Sequence, residues 1–330
     1  MTDVEERLAA LAPTLAGGEA RIADLSLLTG GASMETWAFT LMPASGESRA
    51  LILRRGNSPL ATHPGNKPPL RIEAELIAAA VAHGVPAPEV VHICDAADGL
   101  GEAYVMARVS GETLGKRIAA DPAFDTIRAK LARQCGAALA RIHATPPVEG
   151  LAALDVSTTL ANYEETWRAS GAVRPTIEAA FRWLERRVPE TTDLTLVHGD
   201  FRNGNLMVDP TTGLAAVLDW ELAHVGDPAE DIGWICTNSW RFGRPEHRVG
   251  GFGDLDDLLA GYEAAGGAPI APERVDFWQM LGSLKWGVMT TMMHARWAAD
   301  PTAGPERGVI GRRLSETEAD IVAIIERSAA

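Results

Sequence analysis

Cysteine is scarce in this sequence, and the few that occur lie far apart along the chain. Cys94, Cys135 and Cys236 share no CxxC spacing, which argues against a zinc ribbon and against a small secreted domain held together by disulfides. No HExxH pattern occurs, so the ligand set typical of a zinc hydrolase is also missing. We therefore expect reduced thiols that pack in the core of a cytoplasmic protein.

Long apolar segments and a basic leader are also absent. No stretch approaches the ~20 apolar residues that a membrane-spanning helix requires. The first residues, MTDVEERLAALAPTL, are acidic and lack the basic patch followed by an apolar run that marks a signal peptide. The sequence therefore predicts neither a membrane span nor secretion.

Basic residues are outnumbered, with 30 Lys and Arg against 44 Asp and Glu and a formal net charge of -14. Such a surface repels phosphate backbones, so we expect neither duplex nucleic acid nor an anionic membrane as a partner. A local basic pocket for a phosphorylated ligand is compatible with this balance, because net charge does not describe one site. The length of 330 residues predicts two lobes or domains rather than one small core.

The predicted secondary structure changes near residue 110. Before it, short strand-like runs surround one helical segment, and the remainder of the chain is mostly helical. We predict an α+β fold with a small strand-rich N-terminal lobe, residues 1–108, and a larger helical C-terminal lobe, residues 109–330. Gly and Pro are frequent in residues 56–69, which predicts a loop that either closes over a substrate or is disordered.

One island of strand-like alternation, LVHGDFRNGNLMVDPTTGLAAVLDW, interrupts the helical half at residues 196–220. Its two apolar runs flank the turn-forming segment PTTG, a pattern that predicts a β-hairpin. A closed hairpin places Asn205 opposite Leu218, so that Asn205 and Asp219 emerge at the same open end. Asp200 precedes Asn205 by a loop too short to carry it to another site.

Two carboxylates and an amide at one point favour phosphoryl transfer with magnesium. Asn205 and Asp219 offer hard oxygen ligands for a Mg²⁺ ion that bridges nucleotide phosphates. Asp200 can accept the proton of an attacking hydroxyl, and this chemistry requires positioning more than a covalent nucleophile. The alternative interpretation is a solvent-facing hairpin in which these residues only form turns.

The pattern HGDxxxxN followed by VLDWE resembles the aminoglycoside phosphotransferase and choline kinase-like superfamily. LTGGASMETWAFTL is similar to the nucleotide loop of that family, and DWELAHVGDPAEDIGW to its metal-binding segment. WQMLGSLKWGVMTTMMHARW and GVIGRRLSETE resemble the branch related to the kinase-like domain fused to some acyl-CoA dehydrogenases. The resemblance covers nearly the whole chain and implies a two-lobed protein-kinase-like fold and an ATP-dependent small-molecule kinase that uses Mg²⁺.

The segment VHGDFRNGN, residues 197–205, resembles the catalytic loop of the family, and the resemblance implies roles for individual residues in and near it. Asp200 would be the catalytic base, and Asn205 and Asp219 would be the metal ligands. His198 would brace the loop. For Asp231, in the segment EDIGW, two interpretations stay open: it accepts backbone hydrogen bonds from the catalytic loop, or it is an ordinary charge at the start of a helix.

The strand expected to carry a phosphate-binding lysine reads ALILRRG and places Arg54 at that position. Arginine keeps the charge and can bind phosphate through two nitrogens, but it is not equivalent to lysine. The alternative is a surface arginine on an edge strand. In the phosphate-binding role, the expected partner of Arg54 is Glu73, with Glu75 on the same helix as the alternative. The arginine is also the only support for a nucleotide-binding pseudokinase or scaffold.

The resemblance implies that a loop and a hinge segment hold the nucleotide. Gly31 and Ser33 would approach the phosphates, with a simple hairpin turn as the alternative interpretation. Met106 and Val109, which follow the strand AYV, would bound the segment that holds adenine through its main chain. ATP is the expected donor, with GTP as the alternative, and the sequence does not specify an oligomeric state.

Three classes of small-molecule hydroxyl are compatible with the resemblance: an aminoglycoside, a choline-type cation, and a hydroxyacyl group or its coenzyme A thioester. The C-terminal resemblance favours the third class, whose negative charge predicts basic residues at the entrance of the acceptor site. The candidates are Arg241, Arg244, Arg312 and Arg313. The alternative is that these arginines only solvate the surface. A protein acceptor is not expected, because the short segment between Asp219 and Gly226 leaves no room for a peptide-docking activation segment.

Overall fold

The strand-rich part of the chain forms one antiparallel sheet of five strands. In this computed structural model, which describes residues 3–28, 34–56, 67–190, 193–300 and 305–329, the strands are β1 (Ala20–Leu28), β2 (Met34–Pro43), β3 (Arg49–Gly56), β4 (Val90–Ile93) and β5 (Ala103–Ala107). Their order is β1-β2-β3-β5-β4. Strand β3 is therefore central, and its residue Arg54 pairs with Thr36 on one side and Tyr104 on the other.

Two helices cover the sheet. Helix α1 (Asp3–Ala16) contributes Leu8 and Leu11 to an apolar cluster that also contains Leu51 and Leu53 of β3. Residues two apart in a strand point to the same face, which explains why Leu51 and Leu53 share this cluster. Helix α2 (Leu70–Ala82) packs against β4 and β5.

The remainder of the chain is mostly helical, as the sequence predicts. Its helices are α3 (Gly115–Ala120), α4 (Asp125–Ala144), α5 (Val156–Ala169), α6 (Pro175–Glu185), α7 (Ala229–Cys236), α8 (Leu255–Ala264), α9 (Pro272–Ala299), α10 (Pro305–Gly311) and α11 (Leu314–Ala329). Helices α4 and α8 cross closely, because a Cβ atom at Gly136 would lie 2.0 Å from the carbonyl oxygen of Leu258. The α+β fold with a strand-rich first lobe and a helical second lobe is confirmed.

Two short strand pairs lie within the helical lobe. Strand β6 (Thr195–Val197) pairs with β9 (His224–Gly226), and β7 (Leu206–Asp209) pairs with β8 (Gly213–Val217). The predicted hairpin is the second pair. The sequence does not predict the first pair, because each of its strands is too short to show alternation.

The largest apolar cluster continues across the predicted lobe boundary. Leu70 and Ile77 of α2 and Tyr104 of β5 belong to the same cluster as residues of α4, α6 and α9. The boundary between residues 108 and 109 stays a prediction: the change from strands to helices lies there, but the core does not divide there. None of the described helices combines the length and the apolar character needed to cross a membrane.

Candidate active site

The catalytic loop is held between β6 and the β7–β8 hairpin. Leu206 pairs with Val217, and the amide of Leu218 donates to the carbonyl of Asn205 at 2.7 Å. This register places Asn205 and Asp219 together at the open end of the hairpin, as the sequence predicts. Gly199 is required within the loop, since its φ is +76° and a Cβ atom would lie 2.3 Å from the carbonyl oxygen of Leu222.

Three donors hold the side chain of Asp200. Its Oδ1 accepts hydrogen bonds from Trp234 Nε1 at 2.7 Å and from Arg202 Nε at 3.0 Å. Its Oδ2 accepts from Asn205 Nδ2 at 2.7 Å. The carboxylate is therefore fixed in position and surrounded by donors, as a proton acceptor that must keep one orientation requires.

Asp231 fastens the catalytic loop to α7. It is fully buried, and its carboxylate accepts from the backbone amides of His198 at 2.7 Å and Gly199 at 2.9 Å. Burial opposes its ionisation, but the hydrogen bond and charge of His143, together with His198, lower the pKa of Asp231 below its ordinary value. Of the two interpretations of Asp231, the backbone contacts match the first.

His198 is braced inside the loop as a neutral ring. Its Nδ1 accepts from the amide of Asp200 at 3.2 Å, so its Nε2 donates to the carbonyl of Leu218 at 3.1 Å. Burial lowers the pKa of His198, which favours this uncharged form. The first contact lies within the catalytic loop and the second links the loop to the end of the hairpin, in keeping with a bracing role.

Arg54 reaches from the sheet to the end of the hairpin and contacts three carboxylates. Its Nε lies 3.2 Å from Glu73 Oε1, and its Nη2 lies 2.7 Å from Asp219 Oδ1 and 3.4 Å from Glu221 Oε2. Glu75, the alternative partner, is partly exposed and pairs with Arg71 instead. The arginine is therefore not a surface residue, and Glu73 is the acid of α2 that faces it.

The electrostatics of this cluster depend on burial. Glu73 is 1% exposed and accepts from the hydroxyl of Tyr104 at 3.1 Å. Burial raises the pKa of Glu73 to about 7, although the charge of Arg54 and the tyrosine hydrogen bond oppose the rise. Burial would lower the pKa of Arg54, but its acidic neighbours, led by Glu73, raise it above its ordinary value.

The atoms at the end of the hairpin fit a hard divalent cation. Asn205 Nδ2 donates both to the backbone oxygen and to Oδ2 of Asp200, so the amide oxygen is the atom that Asn205 can offer to a metal. Asp219 is partly exposed and offers its carboxylate beside it. Carboxylate and amide oxygens are the ligands that Mg²⁺ prefers. Asp219 has a φ of +64°, a conformation that Asp and Asn tolerate better than most residues.

The predicted nucleotide residues are only partly described. Gly31 and Ser33 lie outside the described residues, between β1 and β2. Met106 lies in β5, where it is paired with Ile52 and Val90, and Val109 lies just beyond the end of that strand. Their contacts with a nucleotide stay predictions. Most of the predicted lid loop, residues 57–66, also lies outside the described residues.

A cavity of about 560 Å³ adjoins the catalytic loop. It is lined by Lys67, Ala153, Leu154, Asp155, Val156, Thr158, Thr159, Asn162, Tyr163, Gly199, Leu222, His224, Glu230, Trp234, Trp278, Leu281, Gly282, Lys285 and Met289. Gly199 and Trp234 connect the cavity with Asp200. A volume of roughly 300–1,000 Å³ is typical of small-molecule sites, so this cavity is the candidate acceptor site.

The four arginines predicted for the acceptor entrance do not line this cavity. Arg241 is buried and donates to the carbonyl of Cys236 and to Asp320. Arg244 contacts Glu246, Arg313 contacts Glu316, and Arg312 lines a different cavity. The cations that line it are Lys67 and Lys285.

Sequence reasoning also missed Trp234 and Glu221. Trp234 lies three residues after Asp231 in α7, a spacing that puts both side chains on one helix face. That spacing could have predicted its contact with the catalytic loop. Glu221 lies two residues after Asp219, and its Oε1 is 2.7 Å from Lys67 Nζ. Nothing in the local pattern indicates that contact.

A second cluster of potential metal ligands lies in the sheet lobe. One ligand atom each of His92, Cys94 and Asp98 falls within 4.8 Å of the others. Asp98 already accepts from His92 Nε2 and from the amide of Asp95. Burial raises the pKa of Cys94 to about 12, so the thiol stays protonated. This cluster is accounted for by its internal hydrogen bonds.

Comparison with known proteins places phosphotransferases beside this chain. Residues 24–278 match the model of the family described as "Phosphotransferase enzyme family". Acyl-CoA dehydrogenase family member 10 of Mus musculus is 28% identical over 202 residues, which are 57% of this chain and 18% of that protein. The chain covers a fifth or less of the length of the curated relatives it matches.

Two solved structures have the same fold. A protein of Ralstonia eutropha, provisionally named an aminoglycoside phosphotransferase, superposes with a TM-score of 0.72 at 20% identity, covering 98% of each chain. A choline/ethanolamine kinase family protein of Mesorhizobium loti superposes with a TM-score of 0.63 at 18% identity, covering 98% of this chain and 99% of that one. The predicted kinase-like fold and the resemblance of the sequence are thereby confirmed.

Proposed function

This chain belongs to the phosphotransferase enzyme family, and from that membership we propose that it transfers the γ-phosphoryl group of ATP to a hydroxyl of a hydroxyacyl group or of its coenzyme A thioester. As a member of the family it is a small-molecule kinase. The observation that supports the assignment of its site is the convergence of Asp200, Asn205 and Asp219, with Arg54 in contact with the last of them.

Asp200 is the proposed base. The acceptor hydroxyl gives its proton to the Asp200 carboxylate while its oxygen forms a bond to the γ-phosphorus and the bond from that phosphorus to the β–γ bridging oxygen breaks, which releases ADP. Trp234 and Arg202 hold the carboxylate in the orientation that this transfer needs. Such positioning accounts for much of the rate in phosphoryl transfer.

Asn205 and Asp219 are the proposed magnesium ligands, and the bound ion would neutralise charge on the nucleotide phosphates. Arg54 is the proposed phosphate-binding cation of the strand, and Glu73 holds it from α2. Gly31, Ser33, Met106 and Val109 complete the proposed nucleotide site. These contacts stay proposals, as does the choice of ATP over GTP.

Two observations support the hydroxyacyl acceptor over an aminoglycoside or choline. The chain is similar to a protein named as an acyl-CoA dehydrogenase family member. The cavity beside Asp200 has a partly apolar wall and two lysines, and the two carboxylates that line it, Asp155 and Glu230, already have partners in Thr158 and His224. A polycationic acceptor would need carboxylates that are available to it.

We also propose that the enzyme works in the cytoplasm. The three cysteines are buried and unpaired, as expected of a protein that folds where thiols stay reduced.

Thermal unfolding with Mg·ATP and with Mg·GTP tests the nucleotide site. A ligand at about 100 times its Kd stabilises by about 2.7 kcal/mol, which is several degrees for a protein of this size. Asp219→Asn, which the positive φ tolerates, should reduce the shift, while Asp256→Asn on the exposed side of α8 should leave it unchanged. A thermal shift in Asp219→Asn as large as that in the wild type would contradict the metal assignment.

Phosphate transfer to hydroxy acids and hydroxyacyl-coenzyme A thioesters then tests the reaction. Asp200→Asn should keep the nucleotide shift and lose transfer by about 10²–10⁴-fold, the contribution typical of a general base. The competing hypothesis, a nucleotide-binding pseudokinase, predicts a shift in the wild type without transfer to any hydroxyl. Full turnover in Asp200→Asn would overturn the assignment of the base.

A further inference from the structure

The cavity beside the base contains a lysine that no described carboxylate neutralises. Lys285 lies on α9, and its Nζ is 4.7 Å from the centre of the Trp234 ring. The same ring donates from Nε1 to Asp200 Oδ1 at 2.7 Å. One indole therefore separates the ammonium group from the carboxylate proposed as the base.

The carboxylates that line the cavity are occupied by other partners. Asp155 caps α5 by accepting from the amide of Thr158 at 2.7 Å. Glu230 contacts His224 Nε2 at 3.1 Å. Among the described residues, Lys285 forms no ion pair, and its ammonium group lies over the aromatic ring of Trp234. Its charge is therefore directed at the cavity without a counter-ion from the protein.

The position of this charge is not explained by surface solvation. Lysine is rare in the chain, occurring at positions 67, 116, 130 and 285, while arginine supplies the other basic residues. Lys67 and Lys285 line the same cavity, whereas Lys116 and Lys130 are exposed. Lysine ends in a compact ammonium group on a flexible stem, which fits inside a small cavity better than a guanidinium group.

Apolar residues line the part of the cavity wall formed by α9 and the loop after Asp219. Three apolar residues of α9, the helix that carries Lys285, line the cavity: Trp278, Leu281 and Met289. Leu222, in the loop after Asp219, also lines it. A wall that is apolar on this side and carries a single unpaired lysine suits a ligand that has an apolar chain and an anionic group.

We propose that Lys285 is a specificity-determining residue that binds the anionic group, carboxylate or phosphate, of the acceptor. The apolar chain of the acceptor lies along the wall, and its hydroxyl lies at Asp200. Because Lys285 lies over the ring of Trp234 and Asp200 accepts from its Nε1, the anion and the hydroxyl of the acceptor are separated by several bonds. This inference rests on the proposed function, because that function identifies a hydroxyl at Asp200 as the group of the acceptor that reacts.

Equilibrium binding of simple probes tests the inference without turnover. Hexanoate and hexanamide have the same chain and differ in charge, and hexanoyl-coenzyme A moves the anion from a carboxylate to phosphates. Calorimetry should show that the wild type binds at least one of the two anionic probes about tenfold more tightly than hexanamide, equivalent to about 1.4 kcal/mol. Lys285→Met should remove that preference and leave hexanamide binding unchanged.

Lys130→Met is the matched control, since it removes an exposed lysine of α4, and Lys285→Arg should keep part of the preference. A loss confined to hexanoate identifies a carboxylate as the anion, and a loss confined to hexanoyl-coenzyme A identifies a phosphate. The inference is overturned if the wild type does not prefer either anion to hexanamide, or if Lys285→Met keeps the preference.

The nucleotide shift separates this inference from the proposed function. If Mg·ATP stabilises the wild type and Lys285→Met equally, the variant is folded and its nucleotide site is intact. An absent anion preference then contradicts the role of Lys285 alone. If Mg·ATP does not stabilise the wild type, while Lys285→Met still removes an anion preference, the proposed kinase reaction fails and the anion site stands.

Discussion

Replacement of Arg54 by methionine should destabilise the protein strongly, and more strongly as the pH rises. The guanidinium group lies within 3.4 Å of Glu73, Asp219 and Glu221. Its removal takes this cation away from Glu73 and Asp219, while Glu221 keeps its contact with Lys67. Methionine replaces the aliphatic stem of arginine without its guanidinium group, so the change mainly removes the charge and its hydrogen bonds.

Most of the expected cost comes from Glu73, because that carboxyl group is almost fully buried. Removing one partner of a buried ion pair costs about 3–5 kcal/mol. The pairs with Asp219 and Glu221 are partly exposed, at 34% and 19% of the side chain, and are expected to add less than about 1 kcal/mol each. At about 2–4 °C for each kcal/mol, the unfolding midpoint should fall by about 10 °C.

The pKa of Glu73 gives this effect its pH dependence. Burial raises that pKa to about 7, above its value in an unfolded chain. The stability linked to this group is therefore fully present at low pH and is lost as the pH rises through about 7. Without Arg54 the pKa of Glu73 should be higher still. The difference in unfolding free energy between wild type and Arg54→Met should be small at about pH 5 and largest above about pH 8.

Urea denaturation across this pH range measures the difference. Arg55→Met is the control, because Arg55 is the next residue of the same strand and its contact with Glu35 is partly exposed. It should cost less than about 1 kcal/mol at every pH. Adding Glu73→Gln to Arg54→Met should recover most of the loss. A cost for Arg54→Met that equals that of Arg55→Met, or that does not grow with pH, would refute the reasoning.

Two further predictions concern the residues around the base. Trp234→Phe removes the hydrogen bond to Asp200 and should lower kcat by about tenfold, the equivalent of about 1.4 kcal/mol. The thermal shift with Mg·ATP should stay unchanged. An unaltered kcat would show that the contact does not position the base. Asp231→Asn weakens the buried contacts with the amides of His198 and Gly199 and should cost about 2–3 kcal/mol of unfolding free energy, measured by urea denaturation. A cost no larger than that of Asp256→Asn, which changes an exposed residue, would contradict the role of Asp231 in fastening the loop.

The parts of the site that the sequence predicts are those fixed by local geometry. The register of the β7–β8 hairpin follows from two apolar runs and one turn, so the order of residues alone brings Asn205 and Asp219 together. Glu73 can be preferred to Glu75 from its position in the helix. In each case the relevant residues lie on one element or on two elements joined by a short loop.

The parts that it does not predict depend on contacts between distant elements. Lys285 lies on α9 and lines the cavity only because α9 packs against α7. Arg241 was expected at the acceptor entrance, yet the fold buries it against Cys236 and Asp320. Charge in a sequence indicates that a side chain needs a partner, but it does not indicate whether the partner is a ligand or the protein itself.

The apolar core that runs from α2 into the helical lobe limits how the chain can be recombined. An exchange of residues 1–108 between two family members would join Leu70 and Ile77 of one protein to α4 and α6 of the other. The side chains of the two halves of that core would come from different proteins and would not be complementary in shape. Mismatches of a single methylene group in a core already cost stability. Donor and acceptor specificities are therefore easier to alter by changing residues that line their cavities than by exchanging whole lobes.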